Sequence, residues 1–411
     1  MQQYFTHHLS NGLRVLYNHD PNCVVTHCGL LIKAGARDEP DNKPGLAHFI
    51  EHTLFKGTTM RKSFHILNHL EVIGGELNAY TTKEETCLHA SVMNQYLERA
   101  ASLIADIAFN ASFPEKELQK EKDVIIDEIH AYEDTPYEQI YDDFETLVFK
   151  GHSLGHPILG TIPSVQAFKR TDIVNYIRDK YRTHQMVFAV SGNAGLENVI
   201  ALAEKYFGKR SNQSPLEKRK PFKKIKPAQS TVVRSINQVH CISGCTAYSL
   251  TSPHRYAMIL LNNILGGPGM NSKLNLNIRE KYGYTYSIES GYHAYSDTGL
   301  FHIYFATDKK NFERVLNLVN KELEKMKSPV SDRQFNQYKK QLVGQINMAQ
   351  EHKLNLLLGM AKSLLYFNTI LSLDEVNANI QNIALPQFLQ VANNILNTHT
   401  HTSLLYQPAE V

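Results

Sequence analysis

Residues 45–58 read Gly-Leu-Ala-His-Phe-Ile-Glu-His-Thr-Leu-Phe-Lys-Gly-Thr, so His48 and His52 stand four apart with Glu51 beside the second. On a helix, residues four apart share a face, which lets two imidazoles reach one metal ion. Glu51 then lies where a carboxylate can take a proton from a water held at that ion. This His-x-x-Glu-His order inverts the His-Glu-x-x-His pentad of other zinc hydrolases and keeps the same three jobs. Two histidines fall short of the three protein ligands of a usual catalytic zinc, so a carboxylate must come from elsewhere. The segment after Pro114 offers Glu121 and Glu128, seven residues and two helical turns apart on one face. One can ligate while the other orients a ligand or the base. Read without the pentad, the same glutamates are a solvated charged face among Lys120, Lys122 and Asp123. Ser112, with Glu115 three residues later and Pro114 between, reads as the capping box that opens this helix.

Other histidine pairs share the spacing but not the carboxylate. His65 and His69 stand four apart on an expected helix, His152 and His156 in a Gly-containing loop, and His399 and His401 alternate on an expected C-terminal strand. None has a correctly placed base, and they read as ordinary structural or surface histidines.

The elements that must position the pentad belong to a chain of 411 residues, 42% hydrophobic and 20% charged, which is room for two to four domains of roughly 100–200 residues. A formal charge of +3 is too small to imply a polyanion partner, and no nucleic acid is expected. No apolar run approaches the roughly 18 residues that would span a bilayer. The richest, residues 256–265, is broken by Asn262 and Asn263. With neither a basic n-region and apolar core nor an Arg-rich presequence at the start, the expected location is the cytoplasm. Five cysteines, odd in number, argue against a disulfide framework.

One basic cluster, Lys218, Arg219, Lys220, Lys223, Lys224 and Lys226, lies between Pro215 and Pro227, downstream of Ser211, Asn212 and Ser214, and reads as a solvated linker. The chain therefore divides into residues 1–213, a basic Pro-containing linker at 214–229, and residues 230–411. The helix of residues 114–129 has a counterpart at 331–346, an offset of 217, and a strand and a helix precede each. Each half mixes strands and helices without βαβ alternation. The expected class is α+β: two similar, duplicated domains, each a mainly antiparallel sheet packed with helices.

The residues quoted above, with Gly74-Gly-Glu-Leu-Asn-Ala-Tyr-Thr81, make the chain resemble the pitrilysin/insulinase family of zinc peptidases over nearly its whole length. The resemblance is to the short, two-domain members, such as mitochondrial processing peptidase β-subunits and their bacterial relatives. The family's third ligand is a glutamate about 76 residues after the second histidine, which falls on Glu128. The resemblance thus implies one zinc per chain held by His48, His52 and Glu128, with Glu51 as general base and Glu121 as a supporting acid. It also implies that the strand Asn78-Ala79-Tyr80-Thr81 pairs with extended peptide substrate. An ordinary core strand is the plainer reading of those four residues.

The second half lacks the pentad, and Gln345 stands where Glu128 does in the first. It carries Arg279 and, seven residues later, Tyr286, with Tyr284 as a competitor. In the family a similar Arg and Tyr reach the active site from the opposing half of a clam-shaped chamber. With both sets in one chain, the resemblance implies a homodimer in which Arg279 and Tyr286 of one subunit complete the zinc site of the other. A catalytically silent partner subunit of the same fold and a metal-independent peptide-binding chaperone are the alternatives, and the complete metal motif weighs against both.

Overall fold

The computed structural model describes residues 3–210 and 218–409. Its strands are β1 (Gln3–His8), β2 (Arg14–His19), β3 (Val25–Ile32), β4 (Glu76–Thr81), β5 (Thr86–Met93), β6 (Met186–Gly192), β7 (Gln229–Arg234), β8 (Val239–Ala247), β9 (Thr285–Ala294), β10 (Gly299–Thr307) and β11 (Thr402–Pro408). The first seven helices are α1 (Leu46–Leu54), α2 (Ser63–Glu71), α3 (Leu97–Asn110), α4 (Glu115–Glu133), α5 (Pro136–Val148), α6 (Ile162–Ala167) and α7 (Arg170–Lys180). They are followed by α8 (Leu196–Phe207), α9 (Arg255–Gly266), α10 (Phe312–Met326), α11 (Asp332–Ala349), α12 (Lys353–Phe367), α13 (Leu373–Gln381) and α14 (Leu385–Ile395).

Two sheets result, ordered β1-β2-β6-β3-β5-β4 and β7-β11-β8-β10-β9. Leaving out β1, the orders superpose element for element, including the single parallel pair of each sheet, β2 with β6 and β7 with β11. All other neighbours are antiparallel. The α+β class and the duplication expected from sequence are therefore observed. Helices α4 and α11, of 19 and 18 residues, are the repeated helix. Residues 3–8, which carry no strand pattern of their own, form β1 because β2 offers a free edge.

The halves are not contiguous. One compact unit comprises Met1–His130, His156–Arg219 and Ala349–Leu371, and the other Ala131–Gly155, Lys220–Met348 and Ser372–Val411. In the first unit α12 lies on β3 and β6, where Leu357, Met360, Ala361 and Leu364 bury Leu16, Leu31, Val187 and Ala189. In the second, α5 lies on β8 and β11, where Ile140, Phe144 and Val148 bury Ile242, Leu404 and Tyr406. Each half of the sequence thus lends one helix to the other half's sheet. A division at residue 220 misses this because the amphipathic pattern of a helix shows that it buries a face, not against which sheet.

Of the linker expected at 214–229, residues 214–217 lie outside the described residues, as do Ser211 and Asn212. Residues 218–228 form no regular element. Arg219 departs from the solvated reading: its guanidinium forks onto Asp38, Nε to Oδ1 at 2.8 Å and Nη2 to Oδ2 at 2.7 Å, and sits 3.0 Å from Glu84. Two carboxylates, buried Glu84 and largely covered Asp38, hold it, so a residue that looked like one of a charge run is a tether.

Candidate metal centre

Helix α1 begins at Gly45, whose φ of 90° is left-handed backbone that only glycine adopts without strain. A side chain there would also strike Gly160, whose Cα lies 2.6 Å from where a Cβ would stand. The buried carboxylate of Glu39 accepts from the Gly45 N–H at 2.9 Å and the Ala47 N–H at 2.7 Å, satisfying two free donors of the first turn. Leu46, Phe49, Ile50 and Leu54 are buried in the first core, which leaves His48, Glu51 and His52 on the remaining face. Sequence reasoning missed Glu39: a carboxylate six residues before a helix matches no capping pattern.

The second contributor is α4. It opens at Glu115 and not through a Ser112 cap. The Ser112 hydroxyl instead donates to the Gly57 carbonyl at 3.1 Å, Phe113 turns the chain with a φ of 50°, and the Pro114 carbonyl accepts the first helical N–H groups. The extra turn competes with the capping geometry for Ser112. Leu118, Ile125 and Ile129 bury one stripe of α4, and the neighbouring stripe presents Glu121 and Glu128 to α1.

These two elements bring together the three residues expected to ligate. One ligand atom each from His48, His52 and Glu128 lies within 4.8 Å of the others, the only such group of His, Cys, Asp or Glu among the described residues. Glu128 Oε1 is 3.9 Å from His48 Nε2, and its Oε2 is 3.6 Å from His52 Nε2. A tetrahedral ion with arms of about 2.1 Å needs ligands roughly 3.4 Å apart, so the three donors would have to draw together to hold zinc. Its donor set, two imidazoles and one carboxylate, suits zinc chemically.

Protonation favours the same use. Burial, helped by neighbouring His52, pulls the His48 pKa down to about 3, so its imidazole is neutral with a lone pair to give. Burial also pulls His52 down, but Glu121, Glu128 and Glu51 more than reverse this and the net shift is upward. Glu121 is the buried partner of His52: Oε1 is 3.3 Å from Nδ1, and Oε2 is 2.7 Å from Lys56 Nζ. Burial pushes its carboxyl up, His52 and Lys56 pull it down, and the result is below the usual range. The ring nitrogen of His52 that faces away from Glu128 is therefore fixed by Glu121, which Lys56 anchors. Burial raises the Glu51 carboxyl, and its Oε2 is buried without a hydrogen-bond partner. Lys56 was in view in the sequence, but nothing there marked its reach to Glu121.

Asn78, Ala79, Tyr80 and Thr81 lie on β4, which pairs with β5 on one side and ends the sheet on the other. α1 packs against this strand. In the second unit Arg279 closes a π-helical turn at Asn275–Glu280, with Asn275 Oδ1 at 3.4 Å and the Tyr286 ring centroid 5.7 Å from its guanidinium carbon. Tyr286 is 84% exposed, whereas Tyr284 packs on the second core. The remaining histidine pairs form no metal group among the described residues. His399 lies in a 3₁₀ turn and buried His401 precedes β11, so neither is in the expected strand. His401 is 2.7 Å from the Ile395 carbonyl. The five cysteines are free, and no helix among the described residues is long and apolar enough to cross a membrane.

Residues 14–162 match the profile of the insulinase family, peptidase family M16, and residues 167–342 that of the peptidase M16 inactive domain. An uncharacterized zinc protease of Rickettsia bellii is 31% identical over 402 residues, 97% of this chain and 96% of that protein. One of Bacillus subtilis is 31% identical over 367 residues, 86% of this chain and 88% of its own. The crystal structure of a protease from Helicobacter pylori shares the fold, with a TM-score of 0.91 at 20% identity over 99% of this chain and all of that one. Sequence profile, full-length relatives and fold agree, and the chain belongs to the insulinase family of peptidases, M16.

Proposed function

We propose that this protein is a zinc-dependent endopeptidase or oligopeptidase that hydrolyses peptide bonds of unfolded peptides. The observation that carries the reading is the meeting of His48, His52 and Glu128 within 4.8 Å beside the buried carboxylate of Glu51, whose Oε2 has no hydrogen-bond partner. Zinc, when bound, supplies Lewis acidity and brings the pKa of water toward 7. His48, His52 and Glu128 would hold it, one ion per chain. The chain's own residues do the rest. Glu51 Oε2 accepts a proton from the attacking water and delivers it to the leaving amine, a role for which a carboxyl raised by burial is suited. Glu121 keeps the His52 ring in place. The open edge of β4 pairs with the backbone of an extended peptide, which gives affinity without demanding a sequence. The names of the relatives from Rickettsia and Bacillus support the zinc-protease reading.

Arg279 and Tyr286 complete the site from a second copy of the chain in this reading, stabilising the oxyanion and substrate backbone. Support comes from the presence of both residue sets in one chain. Mixing inactive Glu51→Gln and inactive Arg279→Ala chains should restore part of the activity, and no recovery despite subunit exchange would exclude the shared site. For the core reading, elemental analysis should find about one zinc per chain, and a peptide library read by mass spectrometry should be cleaved without chelator and intact with it. Cleavage that persists in the metal-free protein overturns the proposal.

A further inference from the structure

A cavity of about 290 Å³ opens in the first unit beside α3 and α8, with Arg61, Ser102, Asp106, Lys205, Lys209 and Arg210 in its wall. Its charges are unbalanced. Asp106, the only acid lining it, is spent: Oδ2 accepts from Thr58 at 2.8 Å and Arg61 at 2.6 Å, and Oδ1 accepts from Asn110 at 2.9 Å. Lys205 is turned to the outside, 2.7 Å from Glu98.

Among the described residues Arg210 makes no direct ion pair, although the field of Asp106 reaches it. Its Nη2 donates to the neutral amide oxygen of Asn110 at 2.7 Å, and its guanidinium lies 5.0 Å over the Phe109 ring. Lys209 makes no ion pair either among the described residues. A half-buried guanidinium stacked on an aromatic ring and held by a neutral amide keeps its planar fork for an oxyanion. The fork is not on a loose end, because the Asn11 side chain donates to the Phe207 carbonyl at 2.8 Å and the Arg210 carbonyl at 3.0 Å.

We propose that this cavity binds a small oxyanion, a phosphate or a carboxylate, with the Arg210 guanidinium as the principal contact and Lys209 as the second. The volume takes a ligand the size of a phosphorylated or carboxylated metabolite, not a polymer. The proposal is independent of the peptidase reading, since none of these residues lies at the metal centre.

The test is calorimetric titration of the intact protein with inorganic phosphate and, separately, with succinate, at constant ionic strength. One saturable site per chain is expected, weakened about tenfold in Arg210→Gln and several-fold in Lys209→Gln, in line with loss of a charge-assisted pair. Saturation by phosphate alone assigns a phosphoryl ligand, by succinate alone a carboxylate, and by both the shared chemistry. Binding that survives unchanged in Arg210→Gln would belong to another site, the metal centre included, and overturns the proposal. So does the absence of saturation with either anion. If Arg210→Gln fails to fold by circular dichroism, exposed Lys209→Gln decides alone.

Discussion

Glu128 on α4 and Gln345 on α11 occupy the same place in two copies of one architecture, yet only one copy gathers ligands. The difference extends to the facing helix. α1 packs on edge strand β4 and presents two imidazoles and a carboxylate, whereas α9 packs on edge strand β9 and buries Met258, Leu261 and Leu265. The first arrangement gathers polar side chains, two imidazoles and the carboxylates of Glu51 and Glu128, on one partly buried face. The second has exchanged these for apolar contact, worth roughly 1.5–3 kcal/mol for each large side chain fully buried. Duplication supplied the frame twice, and a handful of side chains decides which copy gathers a candidate metal site.

The comparison can be broken by substitution at matched positions. Glu51→Gln is expected to lower peptide hydrolysis by about two to four orders of magnitude while zinc content stays near one per chain, and Gln345→Ala should change neither. Comparable losses in the two variants would erase the distinction between the copies. Next in size, Glu121→Gln should weaken zinc binding about 10- to 100-fold in competition with a chromophoric chelator. Substitution of its counterpart, Tyr338→Phe, should leave that affinity unaltered.

A third test sets a histidine of the second unit against His48. His302 is 4% exposed, and burial, with His293 nearby, pushes its pKa from 6.5 down to about 3. Below pH 6.5 the unfolded chain therefore takes up a proton that the folded chain refuses, so stability falls as pH drops from 6.5 toward 3. Between pH 7 and pH 5 the loss from this residue is about 2 kcal/mol. Urea unfolding of His302→Phe should show a correspondingly shallower pH dependence than the parent. An identical dependence would remove His302 as its source. The smallest effect is expected at exposed Tyr286, where Phe should change stability by less than about 0.5 kcal/mol while reducing kcat, the sign of a residue kept for substrate and not for folding.

The metal centre was readable because its parts are local. His48, Glu51 and His52 lie within one helical turn, and Glu121 and Glu128 on one stripe of a single helix, so periodicity alone put each set on a face. What joined the two sets was a resemblance, since no spacing rule says that α1 and α4 meet. Residues that act through long contacts were not readable: Glu39 reaches the α1 backbone across a loop, Lys56 reaches Glu121 across helices, and Arg219 hides its tether inside a run of lysines. β1, mostly polar and supported by one neighbour, was not legible either. Ser112 shows the opposite error, a local signal overruled by a tertiary partner at Gly57.

The loan of α12 to the first sheet sets a timetable for biosynthesis. Arg14 on β2 donates to the carbonyl of Leu364 at 2.7 Å, and the two residues are separated by 350 positions. A ribosome adding about 5–20 residues per second finishes β6 and α8 long before it reaches α12. For roughly ten to thirty seconds the nascent first sheet carries Leu16, Leu31, Val187 and Ala189 on an uncovered face. The half that carries the His48, His52 and Glu128 cluster, although made first, is completed only when most of the other half has emerged, so a chain stalled before residue 371 leaves a sticky sheet in place of a finished unit.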